Sequence, residues 1–183
     1  RFKRESNLDA IVWISTFLAC FILDIDIGLL IGFLVSLCVL YMKGIKSYTC
    51  TLAQVPNTEL YVDVKSHRNA AEVPQVKIFR YFGSINFATA ASFKKEIVQN
   101  FQVTANSRNL IIDLSAVPHI DMRGCRSLLE IKNEMKSLGV KFYLASASDC
   151  VYESLMKTSQ LMEVTFECFP SVHDAVLYTQ KIK

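Results

Sequence analysis

Residues 10–42 form an almost unbroken apolar run, interrupted near its middle by Asp24, Ile25 and Asp26. As a single helix rising roughly 1.5 Å per residue it would reach about 50 Å, well beyond a hydrocarbon core of about 30 Å. Two helices, residues 8–23 and 27–42, joined at a turn containing Asp24, Asp26 and Gly28, fit better. The two carboxylates seek water or a polar cavity, and a glycine lets the chain reverse. Each arm is slightly short for a full span, as expected of a hairpin packed against other membrane helices or thinning the bilayer locally. Neither arm carries the charged stripe of a soluble surface helix, which disfavours the alternative of a buried core hairpin. Arg1, Lys3 and Arg4 precede the first arm, and Lys43 and Lys46 follow the second. Positive flanks place both ends on the cytoplasmic side. The expected organisation is therefore a transmembrane helical hairpin in residues 1–46, with the lipid bilayer as its partner, followed by a cytoplasmic domain in residues 47–183.

The chain has 183 residues, 51% of them hydrophobic and 20% charged, so residues beyond the hairpin can bury a core of their own. A net charge of +3, spread without a basic run, argues against nucleic acid as a partner. Six cysteines, Cys20, Cys38, Cys50, Cys125, Cys150 and Cys168, form no C-x-x-C pair, and two of them lie in the apolar arms. They read as reduced packing residues rather than a disulfide frame or zinc site. The chain opens on Arg1 with a charged stretch unlike a signal peptide, so it reads as the tail of a longer polypeptide.

Beyond the hairpin, residues 48–54 and 59–64 are rich in β-formers and flank Pro56 and Asn57, which predicts an edge strand and a connection. Strands follow at residues 76–82, 109–114, 140–145 and 164–168, and helices at about 88–101, 121–138, 149–159 and 171–182. Ser171 caps the last helix, and Gly139 stops the one before the third of these strands. This alternation predicts an α/β fold with a mainly parallel sheet covered by helices. Residues 65–74 and 103–108 read as flexible connections.

The segment from Asp113 to Gly124 joins a strand end to a helix start, where backbone N–H groups and the helix dipole can meet a ligand or partner. Asp121 is positioned to cap the helix, Gly124 to permit close backbone approach, and Asp113 with Ser115 to fix the loop by hydrogen bonds. Caps and turns also use these residue types without any ligand. His67, His119 and His173 are each isolated, without a positioned nucleophile or carboxylate. Phosphate-cradling and zinc signatures are absent, so the expectation is neither an enzyme nor a cofactor or metal protein.

Residues 110–131, LIIDLSAVPHIDMRGCRSLLEI, resemble the STAS domain (sulfate transporter and anti-sigma factor antagonist), in which a strand ending in D-L-S precedes an I-D-x-x-G turn opening a helix. Upstream, DAIVWISTFLACFILDIDIGLLIG, VPNTELYVDV and EVPQVKIFRYFGSINFATAASF are similar to the last two membrane segments and STAS entry of the SulP anion transporters, solute carrier family 26. The resemblance implies a STAS-type α/β sheet preceded by a transmembrane hairpin. It also implies an integral plasma-membrane antiporter for sulfate, chloride, bicarbonate, oxalate or related anions. The substrate site would lie on earlier helices, and the partners would be the rest of that membrane domain, a second copy in a homodimer, and cytoplasmic regulatory proteins. The chain departs from the pattern twice. Asp121-Met122-Arg123-Gly124 lacks the phosphorylated serine of the bacterial turn, and only residues 102–108 stand where many animal members carry a long insertion. The alternative is a membrane-tethered STAS regulatory or nucleotide-sensing module that transports nothing.

Overall fold

In a computed structural model of the chain, residues 2–44, 47–66, 70–102 and 107–181 are described, and within the first two helices the side chains of residues 10–41. The chain divides into two compact units, Arg1–Lys46 and Ser47–Lys183.

The first unit is a helical hairpin of α1 (Phe2–Ile22) and α2 (Ile25–Gly44). Only Leu23 and Asp24 break the helices. The Leu23 N–H donates to the Ala19 carbonyl at 3.1 Å, ending α1, and the Gly28 N–H donates to the Asp24 carbonyl at 2.8 Å, opening α2. Gly28 is thus a residue of α2 rather than of the turn, and Asp26 lies in its first turn, where the positive end of the helix dipole suits a carboxylate. What Gly28 supplies is space. A Cβ there would come within 2.5 Å of the Cys20 backbone, and one on Gly32 within 2.6 Å of the Thr16 side chain.

Gly28 and Gly32, four residues apart, form the small-residue face that lets two helices approach closely in an apolar medium. Opposite them α1 presents Thr16 and Cys20, and the Ser15 and Thr16 hydroxyls donate to the Val12 carbonyl at 2.9 and 2.8 Å. Large apolar groups stand outside the seam: Trp13, Phe17 and Phe21 stack along α1 with ring centroids 5.8 and 6.4 Å apart. Among the described residues no helix is long and apolar enough to cross a membrane. The two expected arms, 8–23 and 27–42, fall almost wholly within α1 and α2, which extend them at their outer ends. The flanking cations Arg1, Lys3, Arg4, Lys43 and Lys46 lie outside the described side chains.

The second unit is a six-stranded sheet in the order β2-β1-β3-β4-β5-β6, made of β1 (Tyr48–Gln54), β2 (Tyr61–Asp63), β3 (Val76–Phe82), β4 (Asn109–Asp113), β5 (Lys141–Ala145) and β6 (Cys168–Phe169). Strands β3 to β6 are parallel, joined by α3 (Ala90–Gln102), α4 (Met122–Ser137) and α5 (Asp149–Met162), while β1 and β2 are antiparallel. The mainly parallel expectation holds because each crossover buries one helical face: Phe93 and Ile97 of α3, Leu128 and Ile131 of α4, and Val151 and Leu155 of α5 share a core with Phe79, Tyr81, Leu110 and Ile112. Helix α6 (Val172–Lys181) packs Val172, Ala175 and Val176 into a second core with Ile78, Ile111 and Tyr143.

Three local expectations change. Strand β1 is internal, because β2 folds back outside it as a hairpin with Gln54 opposite Tyr61. Helix α5 runs past Ser159 to Met162 and ends where Glu163 takes a left-handed conformation at φ 52°. The edge strand β6 comprises only Cys168 and Phe169, not residues 164–168. Within the stretch read as flexible, Ala71 exchanges backbone hydrogen bonds with Gln54 at 2.9 and 3.0 Å and Val73 is buried. Residues 67–69, His67 among them, and residues 103–106 lie outside the described ones.

Substituting Gly32→Leu places a branched side chain against Thr16, and the loss of close packing costs about 1–3 kcal/mol. The expected outcome is a lowered melting midpoint of the helical circular dichroism signal in detergent, while Leu30→Ala, on the exposed side of α2, leaves it nearly unchanged.

Candidate functional site at the ends of the third and fourth strands

The C-terminal ends of β3 and β4 lead into two loops that are stitched to each other. The Ile85 N–H donates to the His119 carbonyl at 3.0 Å, and the Asp121 N–H donates to the Ile85 carbonyl at 3.1 Å, making a short parallel bridge between Ile85 and Ile120. Both isoleucines are buried. Gly124 sits directly on this bridge: a Cβ would collide with the Ile85 carbonyl oxygen and lie 2.8 Å from Ile120 Cγ1. A glycine is needed here for close backbone approach, in the first turn of a regular helix.

Asp121 serves both loops. Its Oδ1 accepts the Gly124 N–H at 2.7 Å, the N-cap bond of α4, and its Oδ2 accepts the Phe87 N–H at 2.8 Å. The approach to α3 is closed separately by a reciprocal cap. The Asn86 N–H donates to Thr89 Oγ1 at 3.0 Å, while Asn86 Oδ1 accepts the Ala88 and Thr89 N–H groups at 3.0 and 3.3 Å.

Asp113 is fully buried on the other face of the sheet. Its Oδ2 accepts from Arg80 Nε at 2.6 Å, and its Oδ1 accepts the Ser115 N–H at 2.9 Å. Arg80 and Asp113 are register partners in β3 and β4, so the sheet itself holds the pair together. Arg80 is what sequence reasoning missed, although a cation in the middle of the apolar strand VKIFRYF signals a buried partner.

Of the four loop residues expected to form a site, Asp113, Asp121 and Gly124 are therefore engaged inside the fold, and only Ser115 is exposed. The helix N-terminus is filled by the Asp121 carboxylate of the chain itself. His119 is exposed on the loop with its carbonyl in the bridge, and His173 faces Tyr61 Oη at 3.3 Å and Glu59 at 3.8 Å, far along the sheet. Among the described residues, no group of three or more His, Cys, Asp or Glu is arranged to hold a metal ion. The hairpin residues Asp24, Asp26 and Gly28 belong to the other unit.

All six cysteines are free; Cys50 and Cys125 are buried, Cys20 and Cys168 half-buried, and Cys38 and Cys150 exposed, so the packing role expected of all six does not extend to the last two. Burial pushes the Cys50 thiol up, with Asp63 adding to the effect, and burial also pushes the Cys125 thiol up, against a hydrogen bond from Thr158.

A family model, the STAS domain, matches residues 67–175. The chain belongs to the STAS-domain family. Its relatives are solute carrier family 26 (SulP) transporters. Solute carrier family 26 member 10 of Mus musculus is 27% identical over 181 residues, covering 94% of this chain and 27% of the relative. The structure of the murine solute carrier 26 family member A9 anion transporter in the inward-facing state matches 98% of this chain and 30% of its own, at 29% identity and a TM-score of 0.86. An anti-sigma factor antagonist of Thermotoga maritima shares the STAS fold, with a TM-score of 0.52 and 23% identity, over 59% of this chain and 90% of its own. The chain thus spans under a third of either of these two transporters.

Gly124→Val drives a branched side chain into the Ile85 carbonyl, which as backbone cannot move aside, and lowers STAS-domain stability by about 3 kcal/mol. Urea unfolding followed by circular dichroism measures it; an unchanged midpoint would remove the close approach from the account. The raised thiol values predict a second outcome. At neutral pH a thiol displaced upward holds less thiolate, so iodoacetamide should label exposed Cys150 well before Cys50 or Cys125, as read by peptide mapping.

Proposed function

We propose that this chain is the closing hairpin and cytoplasmic STAS domain of a SulP-type secondary anion transporter. The observation that carries the reading is the union, in one chain, of a STAS domain with a hairpin built for an apolar medium. In water, the large apolar side chains of a helix pair gather in the seam and polar ones face out. Here the seam is glycine, threonine and cysteine, while Trp13, Phe21 and Phe33 are 69%, 81% and 61% exposed. Such a surface finds its partner in lipid or in neighbouring apolar helices.

The hairpin belongs to the scaffold of the longer protein and not to its transport path. Two helices in close contact enclose no aqueous route, and Asp24 and Asp26 carry the wrong sign to attract an anion. Translocation of sulfate, chloride, bicarbonate, oxalate or a related anion falls to other helices of that protein. The STAS domain has no assigned chemistry in this reading: it supports homodimerisation, trafficking and regulation at the plasma membrane. The likeness to a transporter over 98% of the chain favours this over a free-standing STAS regulator.

Trp13 is the single tryptophan, which makes immersion of the hairpin directly measurable. In liposomes its fluorescence should be strongly quenched by lipids brominated along the acyl chain, and the longer polypeptide should take up labelled sulfate or chloride while this chain alone moves none. Trp13 emission indifferent to brominated lipid would sink the membrane placement, and a longer polypeptide that binds bilayers yet transports no anion would sink the transporter reading alone.

A further inference from the structure

The signature loop spends its carboxylates inside the fold, but the cleft beside it is unspent. Helices α3 and α4 bound a shallow groove of about 340 Å³, lined by Phe87, Lys94, Arg123, Arg126 and Glu130 among others. Phe87 is 69% exposed, and Met122, the first residue of α4, is 54% exposed. Arg123 and Arg126 are exposed, and among the described residues neither has an ion-pair partner. Lys94 is already occupied by Glu130 at 2.9 Å, with Glu134 at 3.8 Å.

These charges are placed against local preference. Two arginines at the start of α4, with no acidic residue in its first turn, face the positive end of the helix dipole. The Asp121 carboxylate caps this helix start, but both its oxygens are taken by backbone N–H groups, which leaves the two arginines without a partner of their own among the described residues. We propose that this groove docks an acidic peptide segment with an apolar anchor: carboxylates meet Arg123 and Arg126, and the anchor lies against Phe87. The spacing of the arginines, three residues apart on one helical face, suits carboxylates at helical spacing on the partner.

Charge decides between occupants. Anionic membrane surfaces capture clusters of about four to eight basic residues, whereas here two free cations share the groove with Glu130 and with a Lys94 already paired to it. A second copy docking through the same surface would oppose arginine to arginine across a two-fold axis. An acidic segment answers both the cations and the apolar rim.

The proposal rests on the cytoplasmic placement of the STAS domain, and its test is separable from transport. The full 183-residue chain in detergent micelles is titrated with a fluorescein-labelled peptide carrying leucines at helical spacing among glutamates, followed by anisotropy. Saturable binding is expected, weakened by added salt, and reduced about tenfold or more by Arg123→Glu with Arg126→Glu. Phe87→Ala should weaken it about tenfold as well. The same peptide with lysine for glutamate should not bind. None of these side chains makes an ion pair within the fold, so melting midpoints should stay in place and separate lost binding from lost folding. Binding that ignores the charge reversal, or that the lysine peptide matches, overturns the proposal. So does arginine-dependent pelleting with phosphatidylserine vesicles in the absence of peptide binding, which would assign the surface to lipid. A chain whose Trp13 is quenched by lipid but which fails to bind the peptide overturns this docking and leaves the transporter reading intact.

Discussion

The carbonyl of Ile85 is the point on which the STAS domain turns. It accepts the Asp121 N–H and abuts Gly124, so one backbone oxygen ties the exit of β3 to the start of α4. A hydrogen bond between loops of this kind is strong only where water is excluded, and the two flanking isoleucines exclude it. With that tie in place, Asp121 can reach both Gly124 and Phe87. The two helices then begin side by side, with Phe87 and Met122 outside and the isoleucines inside. Any side chain at position 124 would separate the loops and remove the common support of both helices.

Beneath that junction, on the opposite face of the sheet, Arg80 and Asp113 form the main buried charge pair. A carboxylate taken fully out of water is tolerable only with its acceptor sites filled, and Arg80 together with the Ser115 N–H fills them. Parallel register sets the two residues side by side before any side chain moves. Both carboxylates of the signature segment are thus consumed by the architecture, and the free charge of this end of the domain resides on the arginines of α4.

The hairpin follows the reverse rule of packing. Close approach comes from Gly28 and Gly32, whose missing side chains let α2 lie on Thr16 and Cys20, and the bulk is turned outward. Dispersion and short backbone contacts hold such a pair where no hydrophobic gain separates seam from surroundings. The two units are therefore packed on different principles within one short chain.

Periodicity and turn chemistry in the sequence determined most of the elements by themselves. The strand VKIFRYF, the cap at Asp121 and the stop at Gly139 depend on neighbours a few residues away, and such local preferences survive folding. The resemblance at residues 110–131 likewise led to the STAS fold. What the sequence could not decide was every matter of partnership across long separations. Gly28 read as a turn residue because its role depends on Cys20 in another helix. Strand β1 read as an edge because only tertiary pairing puts β2 outside it. Asp121 as a cap and Asp113 as a loop anchor were legible through their near partners Gly124 and Ser115, whereas their second partners, Phe87 and Arg80, stand 34 and 33 residues away. Local propensity is written in adjacent residues, whereas a charge is spent or free only according to what the fold brings to it.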